Sequence, residues 1–395
     1  MYENNNQHQG YGNGTYYQPP QQQTYYPPYP PQQQGYAQPP QYQQIPPQYQ
    51  GYAPPVYYAP QPQYVSPETA EQMRMKQYYL NKRKEEKSTL MKKGFVIGST
   101  LVAMLIIEII VISFLQHSPY YSLYDSSAVF QHAFNIFAVH IMALLVPFSA
   151  MAAVLKNSSA SPIVPNKKLS PMTTLSWVGI GLGVCLVANF ITQGVIYLFE
   201  FFGYELTTPD SLTVDSPLAC VVLVFSTIIA PGLIEEYCLR ACTMSALKVH
   251  GKAYAVVAVS IVFGLIHGNI IQFVFAFTIG LILGYVTIKT DSIIPAMLIH
   301  GLNNSLSVIS EILEYTSGEK VADTVTALLV LFWIAAAVAG AIYLANKKEL
   351  LPKKEVVKKE PYALSMGEKL LCLLPGLFIP FTILIIETGQ YIHHV

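Results

Sequence analysis

Residues 218–240 read LACVVLVFSTIIAPGLIEEYCLR, an apolar run that ends in two glutamates and an arginine. The part before the acids is close in length to a membrane-spanning helix, which needs about 20 apolar residues. A charged side chain at the centre of a bilayer costs at least ~2.5–3.5 kcal/mol. Glu235, Glu236 and Arg240 therefore predict a protein-lined cavity within the membrane, where these groups pair with each other or take part in chemistry.

The composition on both sides of this run is that of a membrane protein. Charged residues make up only 12 % of the chain and hydrophobic ones 52 %, although residues 1–66 contain few aliphatic side chains. The aliphatic content is thus concentrated downstream, as a polytopic membrane protein requires. All five cysteines fall in apolar stretches without a C-x-x-C pair, so we expect neither a disulfide framework nor a zinc finger.

Apolar stretches of spanning length follow one another from Gly94 onward, and they predict an all-α fold, a polytopic transmembrane helix bundle of about eight or nine spans. We place the spans near residues 94–115, 128–155, 172–199, 218–234 (with an extension to about 247), 252–267, 270–288, 292–311, 324–346 and 370–388. Gly280 and Gly284 lie on one face of the sixth span, a spacing that favours an internal packing contact between helices.

The distribution of basic residues predicts the orientation. If the amino terminus is cytoplasmic, 22 of the 23 lysines and arginines fall on the cytoplasmic side, and only Lys320 lies outside. Such an asymmetry follows the positive-inside rule. We therefore expect an integral, multi-pass membrane protein with a cytoplasmic amino terminus, in contact with the lipid bilayer and without a nucleic-acid partner.

The chain divides into five predicted segments. Residues 1–66, rich in Gln, Tyr and Pro, form a disordered tail, because they cannot bury enough surface to offset the entropy of ordering. The sequence names no partner for this tail. A charged juxtamembrane helix over 67–93 and two transmembrane helices over 94–169 follow it. Residues 170–311 form a membrane core that holds the polar blocks described below, and residues 312–395 hold the last transmembrane helices with a basic cytoplasmic loop.

The acidic block places two carboxylates in different surroundings. Glu236 and Arg240 are four residues apart, so they meet on one helical face as an ion pair. Glu235 points about 100° away from that pair and lacks its guanidinium partner, which suits a general base. The alternative is that both acids only bridge or cap at a membrane boundary. The Pro231-Gly232 step before them predicts a broken helix and a polar cavity beside Glu235.

Two further blocks add imidazole and amide groups. His267 lies four residues after Phe263, although a lone histidine at a helix end is more often an interfacial or hydrogen-bonded core residue. His300 and Asn304 are again four apart within an apolar span, and such neighbouring donors fit a developing oxyanion. No G-x-S-x-G, H-E-x-x-H or nucleotide-binding loop motif occurs. The available groups therefore favour activation of a water molecule.

The three blocks resemble the signature of the CPBP membrane proteins, the family of type II CAAX prenyl endopeptidases and bacteriocin-immunity-like proteins. Its pattern is E-E-x-x-x-R, then F-x-x-x-H, then H-x-x-x-N, and here it covers roughly residues 170–310. The resemblance implies an intramembrane glutamate-type endopeptidase in which Glu235 with His267 activates water. It further implies that His300 and Asn304 form the oxyanion hole, while Glu236, Arg240 and Phe263 support the site.

The resemblance leaves three matters open. We expect no cofactor; the alternative is a metalloprotease with zinc held by Glu235, His267 and His300. The substrate is expected to be a membrane-embedded or lipid-linked peptide, and the sequence does not decide whether it is prenylated. The alternatives to the enzyme are a catalytically silent immunity or scaffold protein of the same fold and, less favoured, an ion-coupled transporter.

The predicted spans place the three blocks at different depths. Glu235 lies near the inner surface, His300 at mid-bilayer and His267 near the outer end of its span. These residues can meet only if helices tilt, if the fourth span continues past Arg240, or if the 252–267 segment is short and sunk into the membrane. We therefore expect errors in the span boundaries.

Overall fold

A computed structural model of the chain describes residues 66–156, 165–207, 214–351 and 363–394. Within these ranges there are thirteen α-helices, four π-helical stretches and one two-stranded sheet. The predicted all-α fold is confirmed. The predicted disordered tail lies outside the described residues, except for Ser66 at its end.

The first helix, α1, spans Pro67–Gln116 without interruption. Ser66 caps its amino end by accepting a hydrogen bond from the Thr69 backbone, and Pro67 occupies the first turn, where its missing N–H costs nothing. Fifty residues at 1.5 Å each make a rod of about 75 Å, more than twice the thickness of a bilayer core. Only the apolar second half of α1 therefore fits within a membrane, and the charged first half projects from it.

The charged half of α1 is bound to elements far along the sequence. Arg83 pairs with Glu368, and Lys369 Nζ lies 3.4 Å from Glu86 Oε1. Lys93 is only 4 % exposed and donates to the Ala246 carbonyl at 2.7 Å. We call these contacts the α1 junction. They fix α1 to the helix Met366–Leu371 and to the end of the helical rod over residues 217–250, both described below.

Four elements form the second apolar run and the short helix before it. They are α2 (Tyr121–Ser126), α3 (Ala128–Asn135), a π-helical stretch (Ile136–Leu145) and α4 (Val146–Lys156). Helix α5 spans Pro171–Phe201 and packs along the helix Glu319–Asn346. Strand β1 follows at Tyr204–Leu206.

The fourth apolar run folds as one helical rod from Pro217 to His250, 34 residues long. It consists of α6 (Pro217–Leu223), π-helical stretches at Val224–Ile229, Pro231–Glu235 and Tyr237–Thr243, α7 (Met244–Leu247) and a 3₁₀ turn at Lys248–His250. The rod thus continues past Arg240, as the sequence allowed, and Glu235 lies near its middle. The difference in depth that the predicted spans give to the three blocks depends on ending the fourth span near residue 234.

The remaining elements complete the bundle. They are α8 (Lys252–Leu265), α9 (Ile270–Thr290), α10 (Ile294–Ser317), α11 (Glu319–Asn346), α12 (Met366–Leu371), α13 (Leu374–Gln390) and strand β2 (Ile392–His394). Strands β1 and β2 pair antiparallel. Helix α8 has only 14 residues, so the segment that ends near His267 is shorter than a normal span.

Each of the nine predicted spans corresponds to one of these helical segments. By length and composition, six of the described helices can cross a membrane, and α8 and α13 are shorter apolar helices. The chain is an integral, multi-pass membrane protein. Its cytoplasmic amino terminus stays a prediction.

Small residues set the closest helix contacts of the core. A Cβ on Gly280 would meet Ser260 at 3.1 Å, and one on Gly284 would meet Val256 at 3.2 Å, so the predicted internal contact is the α8–α9 seam. A Cβ on Gly232 would lie 3.6 Å from the Gly301 Cα. The fourth rod and α10 therefore cross where the first and third sequence blocks lie. All five cysteines are free, as expected.

Candidate active site

The crossing of the fourth rod and α10 brings the acidic block against His300. The His300 Nδ1 atom lies 2.9 Å from Glu236 Oε1, across 64 positions of sequence. Arg240 Nε lies 3.1 Å from Glu236 Oε2, which is the ion pair that the spacing of four predicts. Glu236 and Arg240 are fully buried and His300 is 4 % exposed. One carboxylate is thus held between a guanidinium and an imidazole.

Phe263 of α8 forms the apolar base of this cluster. Its ring centroid lies 4.9 Å from Arg240 Cζ, a cation–π contact. The same ring meets His267 and His300 edge-on, at centroid distances of 5.1 and 5.6 Å. The phenylalanine of the second block therefore contacts groups from all three blocks.

Glu235 is the accessible acid of the site. Its side chain is 13 % exposed, whereas that of Glu236 is fully buried. Its two carboxylate oxygens face different imidazoles: Oε1 lies 3.7 Å from His140 Nε2, and Oε2 lies 3.8 Å from His300 Nε2. Both distances exceed the length of a normal hydrogen bond. Glu235 therefore lies between two imidazoles without a hydrogen bond to either.

His267 is held in one orientation by its own helix. Its Nδ1 lies 2.8 Å from the Phe263 carbonyl oxygen, which can only accept a hydrogen bond. The proton of a neutral His267 is therefore on Nδ1, and its Nε2 is an acceptor. The imidazole lies within electrostatic reach of Glu235 and His300. The short α8 brings this histidine to the depth of the acidic block.

Asn304 supports the break at Pro231. Proline has no N–H, so in a regular α-helix the carbonyl four residues earlier, that of Thr227, loses its donor. Asn304 Nδ2 donates to this oxygen at 2.9 Å, and Asn303 Nδ2 donates to Asn304 Oδ1 at 3.2 Å. One N–H of the Asn304 amide is thus occupied, and the second is left for another acceptor.

Sequence reasoning missed His140 as a site residue. No companion motif surrounds His140 in the 128–155 run, so spacing does not mark it as a catalytic group. In the structure it is 5 % exposed, beside Glu235, on the π-helical stretch Ile136–Leu145. A titratable residue in an otherwise apolar span is itself a signal of a functional site.

The zinc alternative can be tested against the arrangement of the donors. Among the described residues, no three His, Cys, Asp or Glu side chains are grouped so that they could hold a metal ion. His300 Nδ1 is bound to Glu236 and His267 Nδ1 to a carbonyl, so only the Nε2 atoms remain as donors. Glu235, His267 and His300 do not form a zinc site in this arrangement. Metal-free chemistry stays a prediction.

Residues 217–306 match the family model "Type II CAAX prenyl endopeptidase Rce1-like". This match supports a CPBP-family membrane protease. It includes all three sequence blocks and both helices that cross at Gly232 and Gly301. The resemblance to the CPBP family is confirmed.

The match also sets the level at which the activity is known. At the level of the family, the match supports an intramembrane protease of the CAAX type. No curated protein and no solved structure matches the chain. The roles of individual residues therefore depend on the geometry alone, and they are developed as a proposal below.

Proposed function

We propose that the chain hydrolyses peptide bonds within the membrane and that Glu235 activates the attacking water. The observation that carries the proposal is the contrast between the two neighbouring acids. Glu236 is fully buried and paired with Arg240 and His300, whereas Glu235 is partly accessible and lies between two imidazoles beyond hydrogen-bond distance. A paired acid suits a structural role, and an acid with room for a water molecule suits a general base.

The proposed reaction begins with a water molecule held between Glu235 and the Nε2 acceptor of His267. As the water oxygen attacks the peptide carbonyl carbon, one water proton passes to Glu235. The carbonyl oxygen becomes an oxyanion. Glu235 then returns the proton to the amide nitrogen as the carbon–nitrogen bond breaks, which releases a carboxylic acid and an amine. The acid passes its remaining proton to the amine, so the products are a carboxylate and an ammonium group. All atoms and charges balance without a side-chain nucleophile.

The proposed oxyanion hole consists of His300 and Asn304. In its protonated form His300 donates from Nδ1 to Glu236 and presents the Nε2 proton on the side of Glu235. Asn304 contributes the amide proton that is not bound to Thr227. Such fixed donors stabilise a developing charge because they are oriented before the reaction starts.

Glu236 and Arg240 are proposed to position the site. With a protonated His300, the cluster holds two carboxylates and two cations, so its formal charge is zero. Balanced pairing reduces the cost of burying these groups. Because Glu236 binds Nδ1, it also fixes the ring orientation that His300 needs to face the oxyanion.

The substrate class is proposed from the family. The match is to a type II CAAX prenyl endopeptidase model, which suggests a lipid-linked carboxyl-terminal peptide. We propose a membrane-embedded or lipid-linked peptide, with prenylation as one form of the lipid.

The decisive experiment is Glu235→Gln in the full chain, reconstituted into lipid vesicles. Farnesylated and unmodified fluorogenic peptides serve as probes. Loss of the general base should lower kcat by about 10²–10⁴-fold, the range for general acid–base catalysis. Glu311→Gln, on α10 but outside the site, is the matched control and should cleave normally. Undiminished cleavage by Glu235→Gln would refute the mechanism and favour a role for these groups in helix packing.

A further inference from the structure

A cavity of about 550 Å³ lies beside the candidate active site, between α1, the α8–α9 turn and α13. This volume falls within the ~300–1,000 Å³ range of ligand sites in proteins. Two of its walls, α1 and α13, lie outside the residues 217–306 that match the family model. The cavity is thus formed jointly by the family core and by helices that the match does not cover.

Glycine and proline residues lie at the α1–α13 contact beside the cavity. Helices α1 and α13 touch through backbone at Gly98 and Gly376, since a Cβ on either glycine would collide with the backbone of the opposite helix. Pro380 lies inside α13 and lines the cavity. The cavity lies between the two helices on the carboxyl-terminal side of these glycines, where Pro380 also leaves one backbone hydrogen bond of α13 unmade.

The cavity reaches the proposed catalytic groups through His267. This histidine lines the cavity, and it also lies within electrostatic reach of Glu235. Asn269 and Gln272, from the start of α9, line the same end and hydrogen-bond to each other at 2.8 Å. A molecule in the cavity would therefore touch a group that we assign to water activation.

The walls combine aliphatic side chains with two carboxylates. The aliphatic lining includes Leu105 and Ile109 of α1 and Ile383 and Leu384 of α13. Glu108 of α1 and Glu387 of α13 face the cavity and lie within electrostatic reach of each other. Among the described residues that line it, none is a lysine or arginine. The lining thus offers apolar surface and two neighbouring carboxyl groups, with no lysine or arginine among its described residues.

We propose that this cavity binds the substrate next to the bond to be cleaved and selects an apolar peptide segment that carries a lysine or arginine side chain. The aliphatic stem of such a residue packs on the leucines and isoleucines, and its charged end lies between Glu108 and Glu387. A metal ion alone would leave most of the volume and the apolar wall unused. The proposal rests on the proposed function for the statement that the bound peptide is cleaved.

The test compares two 20-residue apolar peptides that differ only at one central position, lysine in one and norleucine in the other. Binding is measured by energy transfer to the full chain in phosphatidylcholine vesicles, with Glu235→Gln present so that cleavage does not interfere. The lysine peptide should bind about tenfold more tightly, the size expected for a charge-assisted hydrogen bond. The preference should vanish in the Glu108→Gln, Glu387→Gln double variant and persist in the control Glu311→Gln.

A second pair of variants tests the cavity itself. Leu105→Trp fills the space and should weaken binding of both peptides at least about tenfold, whereas its exposed neighbour Ile106→Trp should not. Equal binding of the two peptides, or a lysine preference that survives the double variant, would overturn the proposal. So would unchanged binding in Leu105→Trp, the result expected if a phospholipid chain fills the cavity.

The two proposals fail in different ways. If Glu235→Gln leaves cleavage intact in the otherwise natural chain, the catalytic mechanism is wrong, whatever the binding results. If cleavage depends on Glu235 but the lysine preference is absent, the mechanism stands and the cavity has another occupant.

Discussion

Pro231 and Pro380 both lie within helical rods of the bundle, and the surroundings of these two prolines are opposite. At Pro231 the carbonyl of Thr227, which a regular helix would pair with residue 231, accepts a hydrogen bond from Asn304 of α10. At Pro380 the corresponding carbonyl is that of Gly376, and it lies against Gly98 of α1. One break is thus supported by a side-chain amide and the other by close backbone contact.

The comparison shows that a proline within a membrane helix can have two different structural roles. The break supported by an amide lies among carboxylates and imidazoles, and it positions the candidate catalytic groups. The break supported by glycine lies among aliphatic side chains and lines a cavity of about 550 Å³. Membrane helices tolerate proline only where neighbours satisfy the freed backbone, so the partner of the carbonyl determines what the break can do.

The largest expected effect comes from the charged partner at the polar break. Arg240→Met removes the guanidinium and leaves Glu236 buried with His300 as its one strong partner. Loss of one member of a buried ion pair costs about 3–5 kcal/mol. Denaturant unfolding in detergent micelles should show this loss. The control, Lys87→Met, removes an exposed cation 3.7 Å from Glu368 and should cost less than about 1 kcal/mol. Equal losses would mean that the buried pair is not important for stability.

The second largest effect on stability is expected when a larger side chain is placed at the α1–α13 contact near Pro380. Gly98→Leu places a side chain where the Gly376 carbonyl now lies, so the two helices must move apart. Overpacking of this kind costs about 1–3 kcal/mol. Gly194→Leu, in α5, is the matched control because a Cβ there meets nothing within 4 Å. The comparison fails if thermal unfolding shows the same small change for both variants.

A smaller effect is expected at the amide that supports Pro231. Asn304→Ala leaves the Thr227 carbonyl without this donor and should cost about 1 kcal/mol. Pro231→Ala restores a backbone N–H that can pair with the same carbonyl, so Asn304→Ala should cost less in that background. A double-mutant cycle on unfolding free energies measures this coupling. Additive effects would show that Asn304 does not compensate for the proline.

The smallest effect concerns a cap far from both breaks. Asp215 Oδ2 accepts from the Ala128 backbone N–H at 2.8 Å, and this bond, with that of the Ser216 hydroxyl, lowers the pKa of Asp215. A lowered pKa in the folded state stabilises the protein above the ordinary aspartate pKa of about 4, and the contribution is lost as the pH falls further. Melting temperatures from pH 6 to 3 should fall less for Asp215→Asn than for the natural chain. Asp125→Asn should keep the natural slope.

Much of this architecture could be predicted because it depends on local sequence. The helical segments that match the nine predicted spans follow from runs of apolar residues, and the Glu236–Arg240 pair follows from a spacing of four. The seam at Gly280 and Gly284 follows from the same helical period. These features involve neighbours on one helix or the length of one helix, which periodicity shows directly.

The contacts that were not predicted join distant parts of the chain. His140 reaches Glu235 from a helix with no motif, and His300 binds Glu236 across 64 positions. The end of the fourth span near residue 234 is too early, because the helical rod continues to His250, close to the alternative end near residue 247. The cavity depends on the crossing of α1 and α13, and a pattern within either helix alone does not specify a crossing.

The unbroken course of α1 has a mechanical consequence. Arg83, in the α1 junction, and Glu108, in the cavity wall, are separated by 25 positions on one continuous helix, or about 38 Å. A helix without an internal break transmits tilt along its whole length. Tilting of α1 about its crossing at Gly98 would therefore move the ion pairs outside the membrane and the cavity wall that faces the proposed substrate together, in opposite directions.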